Sequence, residues 1–327
     1  MPHVLVAGRI HEAGLELLRS AGNLSIEMID EVSTDSYAPR IAEADAVLIR
    51  TQPMPADVID RAARLRIVSR HGVGYDAVDV AALNRRGIPL AVVGDVNTRS
   101  VAEHTMMMML ALAKRTLAYD DASRRGDWAY RNRQEAFELA DRTLLVVGFG
   151  RIGRAVAGLA SAFGMQALAY DPFVGAAAIE AAGARAAPDL DTALPEADVV
   201  TIHMPGGGEA LIGAAELALL KPTAIVINTA RGGIVDEAAL ADALASGRLG
   251  GAALDVFAEE PPPPDHPLLA CPGTVLSPHS ASLTQEGAAR LSLHAARNIV
   301  DFFAGRLDPR LVVNAKAIAP TKSQPVA

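Results

Sequence analysis

The sequence predicts an α/β protein built from two doubly wound parallel sheets, and three observations support this class. Short apolar strands alternate with helical patterns from residue 4 to residue 93, and the same alternation starts again near residue 143. A glycine-rich turn joins the first strand of the second series to its helix. The chain has 327 residues, which is enough for about two domains.

The first series contains five predicted strands and three helical patterns. The strands lie at residues 4–7, 24–29, 46–49, 67–69 and 90–93, and the helical patterns at 11–21, 57–64 and 78–86. Gly22 stands where the first helix would end. Alternation of this kind is typical of a parallel sheet whose strands are joined by crossover helices.

A long helix is predicted next. Asn97 and Ser100 are both candidates for its amino-terminal cap, and Glu103 fits a capping box that starts at Ser100. The helical pattern extends to about Arg125, and we interpret the consecutive methionines at 106–109 as core packing. The polar stretch 126–141 then predicts a loop or arm.

The second series predicts a second parallel sheet. Its strands lie at residues 143–147, 167–170, 199–203, 224–228, 252–256 and 274–277, with helices at 151–163 and 236–246. A rigid proline loop at 261–264, a second long helix at 283–304 and a short polar tail complete the chain.

Composition excludes several classes of protein. A formal net charge of −8 argues against a nucleic-acid binder, which usually needs a basic face. The longest strongly apolar run, residues 106–113, is far shorter than the roughly 20 residues of a membrane helix. The one cysteine, Cys271, fits a reducing compartment, and the amino terminus has no signal-peptide pattern. We therefore expect a cytoplasmic protein that acts on small molecules, with no nucleic-acid or membrane partner.

The glycine-rich turn has the G-x-G-x-x-G spacing of a dinucleotide site. Gly148 permits the tight turn, Gly150 lets the backbone approach a pyrophosphate, and Gly153 lets the helix pack close to the strand. The free N–H groups at the helix start, around Arg151 and Ile152, would face the phosphates. The alternative is a tight structural turn, but a preceding strand and a following helix favour the cofactor.

Asp171 ends the second strand of this series, where an acid typically binds the adenine-ribose hydroxyls. A carboxylate there would repel a 2′-phosphate, and residues 172–174 offer no arginine to compensate. The sequence therefore predicts NAD rather than NADP as the cofactor.

Three later segments carry reactive side chains at predicted strand ends, at residues 228–233, 255–261 and 277–280. In a doubly wound sheet, ligands bind at the carboxyl ends of the strands. An arginine, an acid and a histidine beside NAD suit hydride transfer at a hydroxyl-bearing carbon. Histidine can move the hydroxyl proton, a neighbouring carboxylate can orient the ring, and arginine can bind a substrate carboxylate.

With these motifs in place, the chain resembles the D-isomer-specific 2-hydroxyacid dehydrogenases, and most closely the branch of D-3-phosphoglycerate dehydrogenases and hydroxypyruvate or glyoxylate reductases. Six ordered stretches carry the resemblance, at residues 69–76, 100–104, 148–153, 228–237, 255–261 and 277–279. The resemblance implies that a Rossmann cofactor domain, residues 98–280, is inserted in a flavodoxin-like catalytic domain, residues 1–97 and 281–327. It also implies a homodimer formed through the cofactor domain.

The resemblance assigns three catalytic residues. Arg231 is implied to bind the substrate carboxylate and carbonyl, His279 to be the general acid and base, and Glu260 to be its paired acid. The choice of Glu260 over Glu259 rests on its place directly before the proline run. From the residues alone, both glutamates are typical of charge on a loop.

Further cofactor contacts follow from the same resemblance. Asp255 is implied to hold the nicotinamide carboxamide, and Thr229 and Ala230 are expected beside the cofactor. His203 and Met204, at a strand end, are expected to line the same site. The other histidines receive no role, and their spacing does not indicate a metal site; they are His3, His11, His71, His104, His266 and His294.

Substrate binding is assigned to the amino-terminal series. The backbone of Gly72, Val73 and Gly74 is implied to receive the substrate carboxylate. Arg50 and Arg70 match arginines that serve anionic substrates in the phosphoglycerate branch. Converging arginines would favour a second anionic group, such as a phosphate or sulfonate. The alternative is that these arginines cap strands and pair with structural acids.

Several functional questions stay open at this level. Arg131 or Arg133 in the arm would be a further substrate contact, and the glycine loop 205–209 departs from the family pattern near the cofactor. The leading hypothesis is an NAD-dependent enzyme that interconverts a D-2-hydroxy acid and its 2-oxo acid, with 3-phosphoglycerate as one candidate. The alternatives are a hydroxypyruvate or glyoxylate reductase and an NAD(H)-sensing scaffold that resembles transcriptional corepressors. Formate dehydrogenase is disfavoured by the glutamate at 260, and serine feedback control is not expected.

Overall fold

The computed structural model describes residues 1–318. Its strands are β1 (His3–Ala7), β2 (Ser25–Ile29), β3 (Ala46–Ile49), β4 (Ile67–Arg70), β5 (Leu90–Ala91), β6 (Thr143–Val147), β7 (Gln166–Tyr170), β8 (Arg185–Ala186), β9 (Val199–Ile202), β10 (Ile225–Asn228), β11 (Gly251–Leu254) and β12 (Thr274–Leu276). Its α-helices are α1 (Glu12–Ser20), α2 (Thr34–Tyr37), α3 (Ala56–Arg61), α4 (Val80–Arg85), α5 (Thr98–Ala113), α6 (Thr116–Arg124), α7 (Arg151–Ala162), α8 (Ala176–Glu180), α9 (Leu190–Ala193), α10 (Ala214–Leu219), α11 (Glu237–Ala245), α12 (Gln285–Phe303) and α13 (Ala315–Ile318). Short 3-10 turns occur at Ala38–Glu43, Trp128–Arg133, Leu194–Glu196, Pro267–Leu269 and Pro309–Leu311.

The chain divides into two compact units. Unit 1 consists of Met1–Asn97 and the chain from Leu283 onward, and unit 2 is Thr98–Ser282. Each unit is built on one sheet in which the strands pair in parallel. The predicted fold class, two doubly wound parallel-sheet domains, is therefore confirmed.

Unit 1 has a five-stranded sheet in the order β2-β1-β3-β4-β5. Its central strands are apolar on both faces, as a sheet covered by helices on both sides requires. Val4 packs with α1 and α12 on one face, whereas Leu5 packs with α3 and α4 on the other. The strand order is that of flavodoxin-like sheets, and it reverses direction between β1 and β3.

Unit 2 has a seven-stranded sheet in the order β12-β11-β10-β9-β6-β7-β8. Helices α5 and α7 cover one face, and α10 and α11 cover the other. The interpretation of the methionine run as core holds for Met106, Met108 and Met109, which are buried, but Met107 is 46% exposed. The order reverses between β6 and β9, so ligands are expected at the carboxyl ends of the strands near this point.

The predicted single helix from residue 98 to about Arg125 is wrong, because the structure has α5 and α6 with a break between them. Arg115 adopts a left-handed conformation with φ of 52°. At this point the arm, residues 126–141, contacts the end of α5. The Phe137 N–H donates to the Ala113 carbonyl, and Arg115 lies 3.3 Å from Glu135. Neither glycine nor proline marks the break, so the local pattern gave no signal for it.

The predicted polar tail is also wrong for residues 305–318, and its remainder lies outside the described residues. Val312 forms an antiparallel bridge with Ala91 at the edge of the unit 1 sheet. Buried Asn314 secures this edge: its Oδ1 accepts a hydrogen bond from the Leu90 N–H, and its Nδ2 donates to the Ile88 carbonyl, both at 2.9 Å.

We expect Asn314→Ala to lower the free energy of unfolding by about 1–3 kcal/mol, because it leaves two buried backbone groups of the sheet edge without partners. Urea denaturation measures this loss. The matched control is Asn84→Ala, since the Asn84 side chain accepts one bond from the Asn314 amide and, over residues 1–318, holds no backbone group of the sheet edge. Equal midpoints for the two variants would contradict this account.

Candidate active site

The glycine turn after β6 has the geometry of a phosphate-binding cradle. A β-carbon at Gly148 would lie 2.7 Å from the His203 carbonyl oxygen, and one at Gly153 would lie 2.2 Å from the Gly148 carbonyl oxygen. Gly148 also has a φ of 93°, which favours glycine. A β-carbon at Gly150 would meet no atom within 4 Å, so the start of α7 is open. These residues fit a dinucleotide, because the open helix start offers N–H groups to phosphates.

Asp171 is held at the end of β7 by two backbone groups. Its Oδ2 accepts a hydrogen bond from the Phe149 N–H and its Oδ1 accepts one from the Phe173 N–H, each at 2.8 Å. The carboxylate is thus fixed beside the glycine turn, and each oxygen keeps a lone pair for a further donor. This placement fits a pair of ribose hydroxyls.

His203 follows β9 and faces the same turn. Its Nε2 lies 2.9 Å from the Thr201 hydroxyl, while its buried Nδ1 has no hydrogen-bond partner among the described residues. Burial lowers the pKa of His203 to about 3, so the ring is neutral at neutral pH. Met204, the next residue, is partly buried and packs against the core on the α10 and α11 side.

The loop after β10 is shaped by Asn228. Its Oδ1 accepts a hydrogen bond from the Ala230 N–H at 3.0 Å, and its Nδ2 donates to the Arg231 carbonyl at 2.8 Å. The Arg231 guanidinium donates to the Ala230 carbonyl at 2.6 Å. The Thr229 hydroxyl lies 2.9 Å from the Thr105 hydroxyl on α5. The loop is therefore held both by its own side chains and by a contact with α5.

Two glycines make room for Arg231 and its loop. A β-carbon at Gly206 would lie 2.9 Å from the Arg231 β-carbon, and one at Gly232 would lie 1.9 Å from the Phe257 carbonyl oxygen. Gly206, in the glycine loop 205–209, therefore packs directly against the predicted catalytic arginine.

Glu260 and His279 form a close pair in unit 2. The His279 Nδ1 lies 2.6 Å from the Glu260 Oε2, and the Phe257 N–H donates to the Glu260 Oε1 at 3.1 Å. Partial burial alone would raise the pKa of Glu260, but these two hydrogen bonds outweigh it and hold the pKa below its usual value. The charge of Arg231 acts in the same direction. The predicted triad residues are therefore electrostatic neighbours, and Glu260 is a carboxylate at neutral pH.

Asp255 lies beneath this pair and is 1% exposed. Its carboxylate accepts hydrogen bonds from the Ser277 hydroxyl at 2.5 Å, the Ser280 N–H at 2.8 Å and the Ala281 N–H at 2.9 Å. Its carbonyl accepts one from the His279 N–H at 2.7 Å. The structure thus ties Asp255 to the histidine loop, a role that the sequence did not predict, and leaves little of its carboxylate for other donors.

A mostly apolar cavity of about 420 Å³ opens beside Glu260 and His279. Its other lining residues are Phe257, Pro261, Pro262, Leu269, Leu276, Ser277 and Pro278. The pair therefore has an apolar surface on one side, while its own side chains are 47% (His279) and 37% (Glu260) exposed.

The predicted substrate residues of unit 1 lie at the carboxyl ends of neighbouring strands. Arg50 follows β3 and donates to the Arg9 carbonyl at 2.8 Å, and Arg70 ends β4 and donates to the His71 carbonyl at 3.0 Å. Burial, and then the charges of Arg50 and Arg70, lower the pKa of His71 to about 3. Gly72 adjoins this cluster, since a β-carbon there would lie 3.3 Å from the Arg70 guanidinium. Val73 and Gly74 continue the same loop.

The arm residues are bound within the arm. The Arg133 guanidinium lies 4.4 Å from the centre of the Tyr130 ring and 3.7 Å from Glu135. Arg131 is exposed on the same 3-10 turn. These contacts give neither arginine a link to Arg231 or His279, so their predicted substrate role stays a prediction.

Sequence reasoning gave His104 no role, yet its Nε2 lies 3.0 Å from the Ser277 hydroxyl beside His279. The only sequence signal was its place in one of the six motif stretches.

Over residues 1–318, no group of three His, Cys, Asp or Glu side chains is arranged to bind a metal ion. Within the same range, no helix combines the length and apolar character that crossing a bilayer requires.

Comparison with known proteins places this geometry in a family. Residues 106–281 match the family model for the D-isomer specific 2-hydroxyacid dehydrogenase, NAD binding domain. The chain is 39% identical to D-3-phosphoglycerate dehydrogenase of Archaeoglobus fulgidus over 97% of its own length, and it spans 60% of that relative. It is also 39% identical to glyoxylate reductase of Aeropyrum pernix, with 95% of this chain and 96% of the relative covered.

Solved structures agree with the sequence relatives. The TT0316 protein of Thermus thermophilus superposes with a TM-score of 0.87 at 33% identity, covering 95% of this chain and 99% of that one. D-lactate dehydrogenase of Aquifex aeolicus, solved with NAD and lactic acid, gives a TM-score of 0.85 at 27% identity, covering 93% and 96%. The chain therefore belongs to the D-isomer specific 2-hydroxyacid dehydrogenase family, and its unit 2 contains the family's NAD-binding domain.

Proposed function

We propose that this chain is an NAD-dependent dehydrogenase that interconverts a D-2-hydroxy acid and its 2-oxo acid. The observation that carries the proposal is the bond between His279 and Glu260 within the electrostatic reach of Arg231. These groups follow neighbouring strands of the unit that carries the dinucleotide cradle, at the edge where doubly wound sheets bind ligands.

Proton transfer falls to His279. Glu260 accepts the Nδ1–H bond, which fixes the ring and leaves Nε2 for the substrate oxygen. In reduction the imidazolium donates a proton from Nε2 to the carbonyl oxygen of the 2-oxo acid. In oxidation Nε2 removes the hydroxyl proton, and the charged Glu260 stabilises the imidazolium that forms.

Arg231 would bind the substrate carboxylate and polarise the carbonyl. A guanidinium can hold a carboxylate through two parallel N–H bonds, which fixes the substrate plane as well as its position. The bond to the Ala230 carbonyl holds this side chain before substrate arrives, so little ordering is needed on binding.

The bound cofactor would supply the hydride as NADH in reduction and accept it as NAD⁺ in oxidation. The cradle of Gly148, Gly150 and Gly153, with the α7 start at Arg151 and Ile152, would hold its pyrophosphate, and Asp171 its adenine ribose. Thr229, Ala230, His203 and Met204 are proposed to line the same site. Asp255 is proposed to meet the nicotinamide carboxamide only through the remaining lone pair of its carboxylate.

For the substrate, we favour a 2-oxo acid with a second anionic group. Arg50 and Arg70 lie close enough to depress the pKa of His71 together, and the loop Gly72, Val73 and Gly74 adjoins them. Two fixed cations at neighbouring strand ends suit a phosphate or sulfonate. A glyoxylate or hydroxypyruvate reductase is the second candidate, favoured by the full-length match to the glyoxylate reductase relative.

We also propose a cytoplasmic homodimer formed through unit 2. Three large apolar side chains of this unit are exposed on α5, α6 and the arm: Met107 at 46%, Leu117 at 57% and Trp128 at 68%. Exposed apolar groups of this size are typical of surfaces that a partner covers.

We expect His279→Ala to lower turnover by about 10²–10⁴-fold, because general acid–base catalysis typically contributes that much, while NADH binding stays intact. The assay follows NADH absorbance with glyoxylate, hydroxypyruvate, phosphohydroxypyruvate, sulfopyruvate and pyruvate. Glu259→Gln is the matched control, since Glu259 neighbours Glu260 in the loop. If wild-type protein oxidises NADH with none of these acids, the proposed function fails; if His279→Ala keeps full turnover, His279 is not the acid.

Asp171→Asn should lower the preference for NAD over NADP by about tenfold or more. The amide no longer repels a 2′-phosphate and accepts a ribose hydroxyl less strongly. The ratio of kcat/KM for the two cofactors measures this. An unchanged ratio would remove Asp171 from ribose recognition.

Arg70→Met should raise KM by about 10- to 100-fold for phosphohydroxypyruvate or sulfopyruvate, because a charge-assisted bond to the second anionic group is lost. KM for glyoxylate, which has no such group, should change much less. Arg85→Met, at an exposed residue of α4, is the control. Equal effects on all substrates would argue instead for a structural role of Arg70.

A further inference from the structure

Helix α5 supports two of the loops that carry the reactive side chains. Its adjacent residues His104 and Thr105 reach different loops: the Thr105 hydroxyl lies 2.9 Å from that of Thr229, and the His104 Nε2 lies 3.0 Å from the hydroxyl of Ser277. The second contact leads directly to the loop of His279.

The hydrogen bonds from His104 onward have a defined direction. The Asp255 carboxylate only accepts, so the Ser277 hydroxyl, 2.5 Å from Oδ1, must donate its single proton to it. The Ser277 oxygen is then an acceptor toward His104, whose Nε2 must carry a hydrogen. The chain therefore runs from His104 through Ser277 to Asp255. Since the serine proton goes to the carboxylate rather than to the histidine, this is not the arrangement of an activated nucleophile.

Asp255 in turn holds the loop that carries His279. Its side chain accepts hydrogen bonds from the N–H groups of Ser280 and Ala281, and its carbonyl accepts one from His279. His279 has a φ of 50°, in the left-handed region that non-glycine residues avoid. Such a conformation persists only when its surroundings hold it, and the Asp255 contacts do so.

The two ends of this hydrogen-bond chain, His104 and Asp255, are shielded from solvent. The side chain of Asp255 is 1% exposed and that of His104 is 18% exposed. The His104 Nε2 lies 3.7 Å from the Asp255 Oδ1. Water therefore has little access to Asp255, and a hydrogen bond lost there carries the cost of a buried unsatisfied group.

We propose that His104 is a positioning residue for His279. Its Nε2–H, acting through Ser277 and Asp255, holds the 277–281 loop in the conformation that presents the catalytic imidazole to substrate. The inference rests on the proposed function, in which His279 transfers the proton, and it assigns His104 a role beyond that function.

The first test compares His104→Leu, which removes the donor at similar volume, with His104→Gln, whose amide nitrogen can take the place of Nε2. We expect kcat to fall by about 10- to 100-fold in the leucine variant, the scale set by a small misplacement of a catalytic group. The glutamine variant should stay within about threefold of wild type. KM for NADH should change little in either variant, because the glycine cradle and Asp171, which are proposed to hold the pyrophosphate and the adenine ribose, are untouched.

The second test measures amide hydrogen exchange in a peptide covering 277–282, which needs no turnover. Exchange should quicken in His104→Leu and stay near wild type in His104→Gln, because only the first loses the link to Asp255. The control is His294→Leu, which replaces a histidine of α12. It should leave both kcat and the exchange of the 277–282 peptide unchanged.

The third test is a double-mutant cycle with Ser277→Ala. If the three residues act as one chain, His104→Leu adds little to the loss already caused by Ser277→Ala. Where His104→Leu does not fold, Ser277→Ala carries the kinetic and exchange tests alone, since it breaks the same link.

Any one of four results would overturn the proposal. In the kinetic test these are full kcat in His104→Leu, or a loss in His104→Gln equal to that in His104→Leu. In the other tests they are multiplying effects of His104→Leu and Ser277→Ala, or unchanged exchange in His104→Leu. These outcomes are distinct from failure of the proposed function. If no 2-oxo acid supports NADH oxidation by the wild type, that function fails, while the exchange comparison still decides whether His104 holds the loop.

Discussion

Parallel pairing of β10, β11 and β12 is the constraint on which the candidate site depends. Asn228 pairs with Leu254, and Leu254 with Leu276, so the three strands end level at one edge. Each loop that follows therefore starts from the same line, and a few residues later the loops carry an arginine, a glutamate and a histidine. The 2.6 Å bond between Glu260 and His279 is a consequence of this alignment.

Much of the fold could be predicted from the sequence, because strands buried on both faces are continuous apolar runs and the glycine turn has a fixed spacing. The pairing partner of His279 could not be decided from residues alone, since Glu259 and Glu260 are adjacent in a loop with no periodic signal. The resemblance favoured Glu260, and that residue contacts the histidine. The break at Arg115 was missed because contacts with the arm, not glycine or proline, impose it.

His104 illustrates a further limit of local patterns. It lies in a helix with a strong core pattern, and its partner Ser277 is 173 positions away in the chain. Nothing within the helix distinguishes a histidine that packs from one that donates a hydrogen bond to a distant loop. Only the level strand ends, which bring Ser277 next to α5, give this residue a partner whose own contacts reach Asp255 and the His279 loop.

The environment, more than residue type, separates the histidines of this chain by the chemistry open to them. Burial holds His203 and His71 neutral, with pKa values of about 3, and in His71 the charges of two arginines add to the effect. A ring of this kind can line a ligand site but cannot supply a proton at neutral pH. His279 instead has an exposed ring that is bonded to the Glu260 carboxylate, and the charge of Arg231 acts on the same carboxylate. Of these three histidines, His279 is therefore the one whose contacts suit the proposed proton transfer.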